Sequence, residues 1–276
     1  MKNKIKINLG NVQETLLLPL WGRSTESQKE HPKMVDKKAV EIVSKIDYDF
    51  STIAKNISWV SQLAWVARSL HVDTVIRNFI NANPNGTIVN IGCGLDTTFE
   101  RIDNGKITFF DLDLPDVINL RNQFISKNSR HITISGSFLE TSWFDQMRNK
   151  ENVLFIAAGV FYYFTENQIK DFFISLANNF NRSEMCFDNA SPLGVKVANK
   201  RVIKDGGMNE SAMLKWGLKS PKCLNKWHNK IKFVNVTPLF KGFKKGYSFK
   251  VKYGLWLSDF LNIMSMVHFE ITQETS

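Results

Sequence analysis

The chain has 276 residues and a net charge of +10, with 43% apolar and 22% charged residues. These are the proportions of a soluble globular protein large enough for one sizeable domain, and they exclude a disordered or fibrous chain. Every apolar run is broken by charge or amide within about a dozen residues, which excludes a spanning helix. The basic start, Met1 to Lys6, leads into no apolar segment of leader length, so no signal peptide is expected.

In chain order, residues 12–34 read as irregular with helical pieces that end near Pro32. Asp36 to Lys45 reads as a helix, and Asp47 to Phe50 as a turn. Ser58 to Phe79 has helical spacing, with Trp59, Leu63, Val66, Leu70 and Val75 on one side. Asn83-Pro84-Asn85-Gly86 then breaks the chain. From there strands and helices alternate: strand 87–91, a helix from 96, strand 107–111, helix 115–127, strands 130–134 and 152–157, helix 166–180 and strand 184–188. Pro115 and Asp116 suit a helix start, and Thr165 with Gln168 three residues later forms a capping-box variant. Residues 190–229 read as a helical insertion; 230–239 and 266–272 read as two further strands. Lys241 to Ser258 carries Gly242, Gly246 and Gly254.

The pattern is α/β: a doubly wound, mostly parallel, seven-stranded sheet in one domain. Residues 1–82 form an N-terminal helical segment, 83–189 a cofactor-binding core, 190–229 a lid, and 230–276 the strands that complete the sheet. The basic excess is confined to 196–252, which carries +13 while the remainder carries −3. Arg201 is the single arginine there, and arginine is the favoured reader of bases and phosphates, so specific nucleic-acid recognition is not expected. The three cysteines (Cys93, Cys186, Cys223) are far apart and the five histidines form no i, i+4 pair. That excludes a disulfide framework and a cysteine-based zinc site; no metal, no membrane partner and a reducing cytoplasm are expected.

The most informative run is Thr87-Ile88-Val89-Asn90-Ile91-Gly92-Cys93-Gly94-Leu95-Asp96-Thr97, a strand that breaks into Gly-x-Gly and then an acid. Such a turn brings backbone close to a ligand at the carboxyl edge of a parallel sheet. Asp113, 21 residues after Gly92 at the end of the next strand, has the spacing at which a carboxylate meets ribose hydroxyls. Thr97 replaces the third glycine of a dinucleotide site, and Asp96 repels phosphate. A ligand with ribose, no phosphate and a cationic centre suits the turn, and S-adenosylmethionine is one.

These residues carry a resemblance. Leu18-Pro19-Leu20-Trp21-Gly22-Arg23, Asp36 with Lys38 to Val43, Ile46 to Phe50, Val89 to Thr97, Arg101, Asp111 to Ile118 and Ala157 to Phe164 resemble the leucine carboxyl methyltransferase family. Within it the chain is most similar to the polyketide-type O-methyltransferase branch. The resemblance implies a class I methyltransferase that uses S-adenosylmethionine. Gly92, with Cys93, Gly94 and Asp96 around it, would line the cofactor, and Asp113 beside Leu114 would bind the ribose. Arg68 would hold the carboxylate, with Arg23 sharing it. Two departures stand out. The family's Asp-Leu pair at the adenine falls on Ser137-Phe138, and its glutamate after the fourth strand falls on Ala158.

Tyr162, Tyr163 and His228 are the candidates to orient an acceptor or take its proton. The lysine-rich insertion suits an anionic small-molecule acceptor, on a monomer or homodimer. Three functions stay open: small-molecule O-methylation, methylation of a protein's C-terminal carboxylate, and nucleic-acid binding through the basic lid without chemistry.

Overall fold

Seven strands form the sheet in a computed structural model that describes residues 4–7, 9–147 and 150–273. They are β1 (Thr87–Ile91), β2 (Thr108–Asp113), β3 (His131–Ser135), β4 (Val153–Ala157), β5 (Ser183–Ala190), β6 (Ile231–Pro238) and β7 (Met264–Ile271). Their spatial order is β3-β2-β1-β4-β5-β7-β6. The first five are mutually parallel, and β7 runs antiparallel to both of its neighbours. The central strands β1 and β4 are buried along their whole length, as strands covered on both faces must be. Alternation sorts their side chains: Phe155 joins the core on one face with Phe173, Phe187 and Phe269, while Leu154 and Ile156 join Phe79 and Phe109 on the other.

Nine α-helices among the described residues complete the layers: α1 (Leu17–Ser27), α2 (Lys37–Lys45), α3 (Ser51–Asn56), α4 (Trp59–Ala82), α5 (Thr98–Ile102), α6 (Pro115–Arg121), α7 (Glu166–Asn179), α8 (Pro192–Ala198) and α9 (Phe249–Phe260). Local signals set several ends. Asp36 caps α2 by accepting from the Ala39 N–H, and the Thr165–Gln168 box is closed in both directions at α7.

Four elements differ from the sequence expectation. Residues 12–34 hold a 3-10 turn (Gln13–Leu16) that runs straight into α1, a longer helix than the pieces expected, because Pro19 falls in its first turn and Gly22 admits the Trp65 ring, which lies 3.0 Å from where a Cβ would sit. The helix after Pro115 stops at Arg121, whose carbonyl closes a turn with Phe124 and Ile125. The insertion is mostly irregular: beyond α8 it has a π turn (Asn199–Lys204) and short 3-10 turns. Two asparagine amides hold it, Asn189 bonding both N–H and C=O of Leu218 and Asn199 those of Leu214. Finally, α9 forms in a stretch that carries three glycines and to which the sequence assigned no element. Gly254 lies within it because the Trp59 ring would be 2.9 Å from a Cβ there.

Candidate active site

The sheet order reverses between β1 and β4, and a crevice opens at the carboxyl ends of those strands. A cavity of about 480 Å³ lies there. Arg23, Arg68, Gly92, Cys93, Gly94, Asp96, Asp113, Leu114, Ser137, Phe138, Ala158, Tyr162 and Tyr163 all line it. His228 does not. It sits before β6, at the opposite edge of the sheet, where its Nδ1 accepts the Lys230 N–H and its Nε2 meets Asn178 Oδ1. His228 is therefore corrected from candidate base to surface turn residue. No lysine lines the cavity among the described residues, and Lys215 and Lys219 point to solvent, so the charge of the insertion gives no support to an anionic acceptor.

The glycine turn is built from its own strand pair. Gly92 and Gly94 have φ of 62° and 50°, and a Cβ on Gly92 would fall 2.5 Å from Val160. The N–H groups of Gly92 and Cys93 both donate to the Leu112 carbonyl, that of Gly94 to Asp113 Oδ2 (2.7 Å), and that of Asp96 to the Cys93 carbonyl. Four of the five N–H groups from Gly92 to Asp96 are thus used internally. A pyrophosphate site needs such donors free. The carbonyls are tied as well: Arg121 donates to those of Gly94 and Asp96, and Arg23 to that of Leu95 (3.0 Å). Arg121 is buried and also paired with Asp111, which His131 contacts in turn. Arg23 has its Nε on Asp36 at 2.9 Å. It lines the cavity, yet one nitrogen is committed to the turn and another to Asp36, so its geometry is that of a positioning residue. Arg101 bridges Asp36 and Asp73 below.

Burial alone would raise the Asp96 carboxyl; Arg101 and Arg23, each just under 4 Å away, outweigh it and hold it at about 2. Asp96 is thus a fixed anion on the cavity wall. Asp113 is different. Burial pushes it up to about 6 against the pull of the Gly94 and Leu114 N–H groups that bond its two oxygens. A carboxylate anchored in this way has lone pairs left for two adjacent hydroxyls. Burial raises the Cys93 thiol well above its ordinary value, so this cysteine is a small wall residue and no nucleophile.

Arg68 projects from α4 across the sheet. Its Nη1 donates to Asp188 Oδ2 at 2.8 Å and to the Tyr162 hydroxyl at 3.1 Å, and its guanidinium lies over Gly159. Burial works against its charge, and Asp188 more than restores it. Asp188 Oδ1 accepts the Gly159 N–H (2.7 Å), so one carboxylate fixes both the arginine and the turn after β4. The sequence alone gives no sign of Asp188 or Arg121, because their partners lie on other elements, 120 and 10 residues away. At the two departures, Ser137 Oγ accepts the Leu139 N–H (3.3 Å) and keeps its own proton to donate, while Phe138 is wedged among Phe161, Phe164 and Phe172. Ala158 adds no anion.

The doubly wound sheet, with a glycine turn that has almost no donors left for phosphate and a carboxylate at the end of β2, defines a class I S-adenosylmethionine-dependent methyltransferase. The leucine carboxyl methyltransferase family profile matches residues 20–177, more than half of the chain. The chain belongs to the leucine carboxyl methyltransferase family. It is 27% identical over 220 residues to the tetracenomycin polyketide synthesis O-methyltransferase TcmP of Streptomyces glaucescens, covering 79% of each chain. The fold is also that of a DUF574 family protein from Streptomyces avermitilis (TM-score 0.60, 8% identity, 93% of this chain and 96% of that one). It matches the N-methyltransferase NodS from Bradyrhizobium japonicum, solved with S-adenosyl-L-homocysteine (TM-score 0.51, 12% identity, 96% and 100%).

Proposed function

We propose that the chain methylates a hydroxyl oxygen of a small, largely apolar acceptor. The observation that carries this is the division of the cavity into two walls. One is polar: Arg68, Asp96, Asp113 and the glycine turn. The other belongs to a single apolar cluster in which Val12, Ala198, Val202, Leu214 and Met264 pack around Tyr162 and Tyr163. Three of these come from the 190–229 segment, which supports reading that segment as the lid over the acceptor. The likeness to an O-methyltransferase of polyketide synthesis agrees with a small-molecule acceptor there.

The residues present fit S-adenosylmethionine. When bound, it supplies an electrophilic methyl on a sulfonium. Asp113 would hold the ribose hydroxyls and Arg68 the carboxylate, since a guanidinium fork matches it. Ser137, Phe138 and Leu114 would flank the adenine, and Ala158 would leave the amino group to backbone acceptors near Gly92. The acceptor's hydroxyl oxygen would have to lie in line with that methyl, and its proton would have to leave. Positioning supplies most of such a step. No histidine lines the cavity among the described residues, and burial raises both Tyr162 and Tyr163, so both phenols stay protonated and neither takes the acceptor's proton. With Asp96 held by Arg23 and Arg101 and Asp113 given to the ribose, the acceptor is an acidic hydroxyl, a phenol or enol, that ionises with little help. Tyr163, bonded to Thr15 at 3.2 Å, orients it.

The test is label transfer from methyl-labelled S-adenosylmethionine to a panel of phenols, enols, carboxylic acids and peptide C-termini. Base-stable methyl ethers are expected. Label released by base as methanol, or found only in polypeptide, refutes the proposal.

A further inference from the structure

Helix α9 presents its aromatic side outward. Phe249 is 84% exposed, Phe260 69%, Tyr253 55% and Trp256 48%. At about 100° per residue these four fall within about 60° of one another, opposite the buried Leu255. Tyr253, Trp256 and Phe260 stack in sequence, with centroids 5.8 and 5.1 Å apart. Trp59, itself exposed, lies against Gly254 at the edge of this stripe. Lys250 and Lys252 are exposed on its two sides, and Lys241 and Lys245 extend the charge before the helix. The one acid of 241–261, Asp259, is already paired with Lys244 at 2.7 Å.

We infer that the α9 face docks on an anionic lipid surface. Aromatic rings flanked by lysines are the arrangement that sits at the boundary of headgroup and acyl chain, with lysine stems lying along the apolar surface and ammonium groups reaching lipid phosphates. Charge complementarity favours this occupant over a second copy. A two-fold dimer would set the same lysine-flanked face against itself and oppose like charges. It also gives a role to Lys241, Lys245, Lys250 and Lys252, a part of the basic excess of 196–252 that the cavity does not use. The face lies near the substrate end: Met264, four residues past α9, lines the cavity, and the Ile263 carbonyl accepts the Ser191 N–H at the start of α8. Leu193 and Val197 on α8 are exposed as well. No helix among the described residues is long and apolar enough to cross a membrane, and a peripheral contact needs none.

The experiment is vesicle flotation of the full chain with phosphatidylcholine alone and with phosphatidylcholine mixed with phosphatidylglycerol. Binding is expected to the mixed vesicles only and to weaken with salt. W256S/F260S and K250E/K252E are each expected to lower the partition coefficient about tenfold or more, and the vesicle-induced blue shift of tryptophan emission is lost with Trp256. Calorimetric affinity for S-adenosylmethionine checks that both variants fold. Absence of wild-type binding to the mixed vesicles overturns the inference. So does binding that survives W256S/F260S, self-association through this face without lipid binding, or binding confined to nucleic acid or an acidic polypeptide. None of these outcomes depends on which acceptor is methylated.

Discussion

Arg68→Met leaves the buried Asp188 carboxylate with one donor, the Gly159 N–H, and an orphaned Oδ2. The arginine side chain is 8% exposed and the aspartate 0%, so water restores little. Removing one member of a buried pair costs about 3–5 kcal/mol. At about 2–4 °C per kcal/mol for a large domain, Tm falls by about 6–20 °C. The partner change Asp188→Leu strands the guanidinium and costs a similar amount. The double variant R68M/D188L has no charge left to desolvate and should regain most of the loss, because apolar replacement of a buried pair is often close to neutral. Cofactor affinity separates the two roles: it stays low in the double variant, since the fork for the carboxylate is gone. Urea titration of the three variants gives the coupling energy, and calorimetry with S-adenosylmethionine gives the affinity. Strictly additive single costs, or a double variant that binds the cofactor like the parent, would refute the reasoning.

Asp113 makes cofactor affinity depend on pH. Its pKa of about 6 in the free protein means that affinity should climb about tenfold per unit below that pH and level off above it, as binding demands the ionised form. Asp113→Asn should flatten the profile at a low affinity. Stability of the free protein runs the other way: a raised carboxyl pKa favours the folded state at low pH, so this contribution is lost as pH rises from about 4 to about 6. D113N should remove that slope in pH-dependent urea unfolding. Gly159→Ala meets a φ of 89° and a guanidinium 2.9 Å from the new Cβ, so cofactor affinity should drop roughly tenfold with a Tm loss of only a few degrees. His228→Ala should leave kcat and KM unchanged; a large loss in kcat would return His228 to the list of bases.

The sheet was legible because its strands are short apolar runs between clear breakers, and the extra burial of a doubly covered sheet makes such runs continuous. Thr87–Ile91 was read to the residue. The positions of Gly92, Gly94 and Asp113 at the cavity were legible because one strand–turn–helix–strand unit sets them by local spacing. Asp188 and Arg121 were invisible because their partners are 120 and 10 residues away and on different elements. Nothing in a local window distinguishes a buried acid with a partner from a surface one. Helix α9 was missed for a related reason. Gly254 reads as a breaker until Trp59, far away in sequence, is seen to need its space. The basic count was real, but its direction was not readable: the lysines turn away from the cavity.

The internally bonded glycine turn also bears on selectivity. Adenine nucleotides share base and ribose with S-adenosylmethionine and differ in their phosphates. A phosphate entering this crevice would give up its water and find four N–H groups already engaged, with the fixed Asp96 anion beside them. Desolvation without replacement is a large penalty for a charged group. The turn therefore discriminates by refusal: it need not bind its own ligand more tightly, because the competitors have nothing to exchange their hydration for.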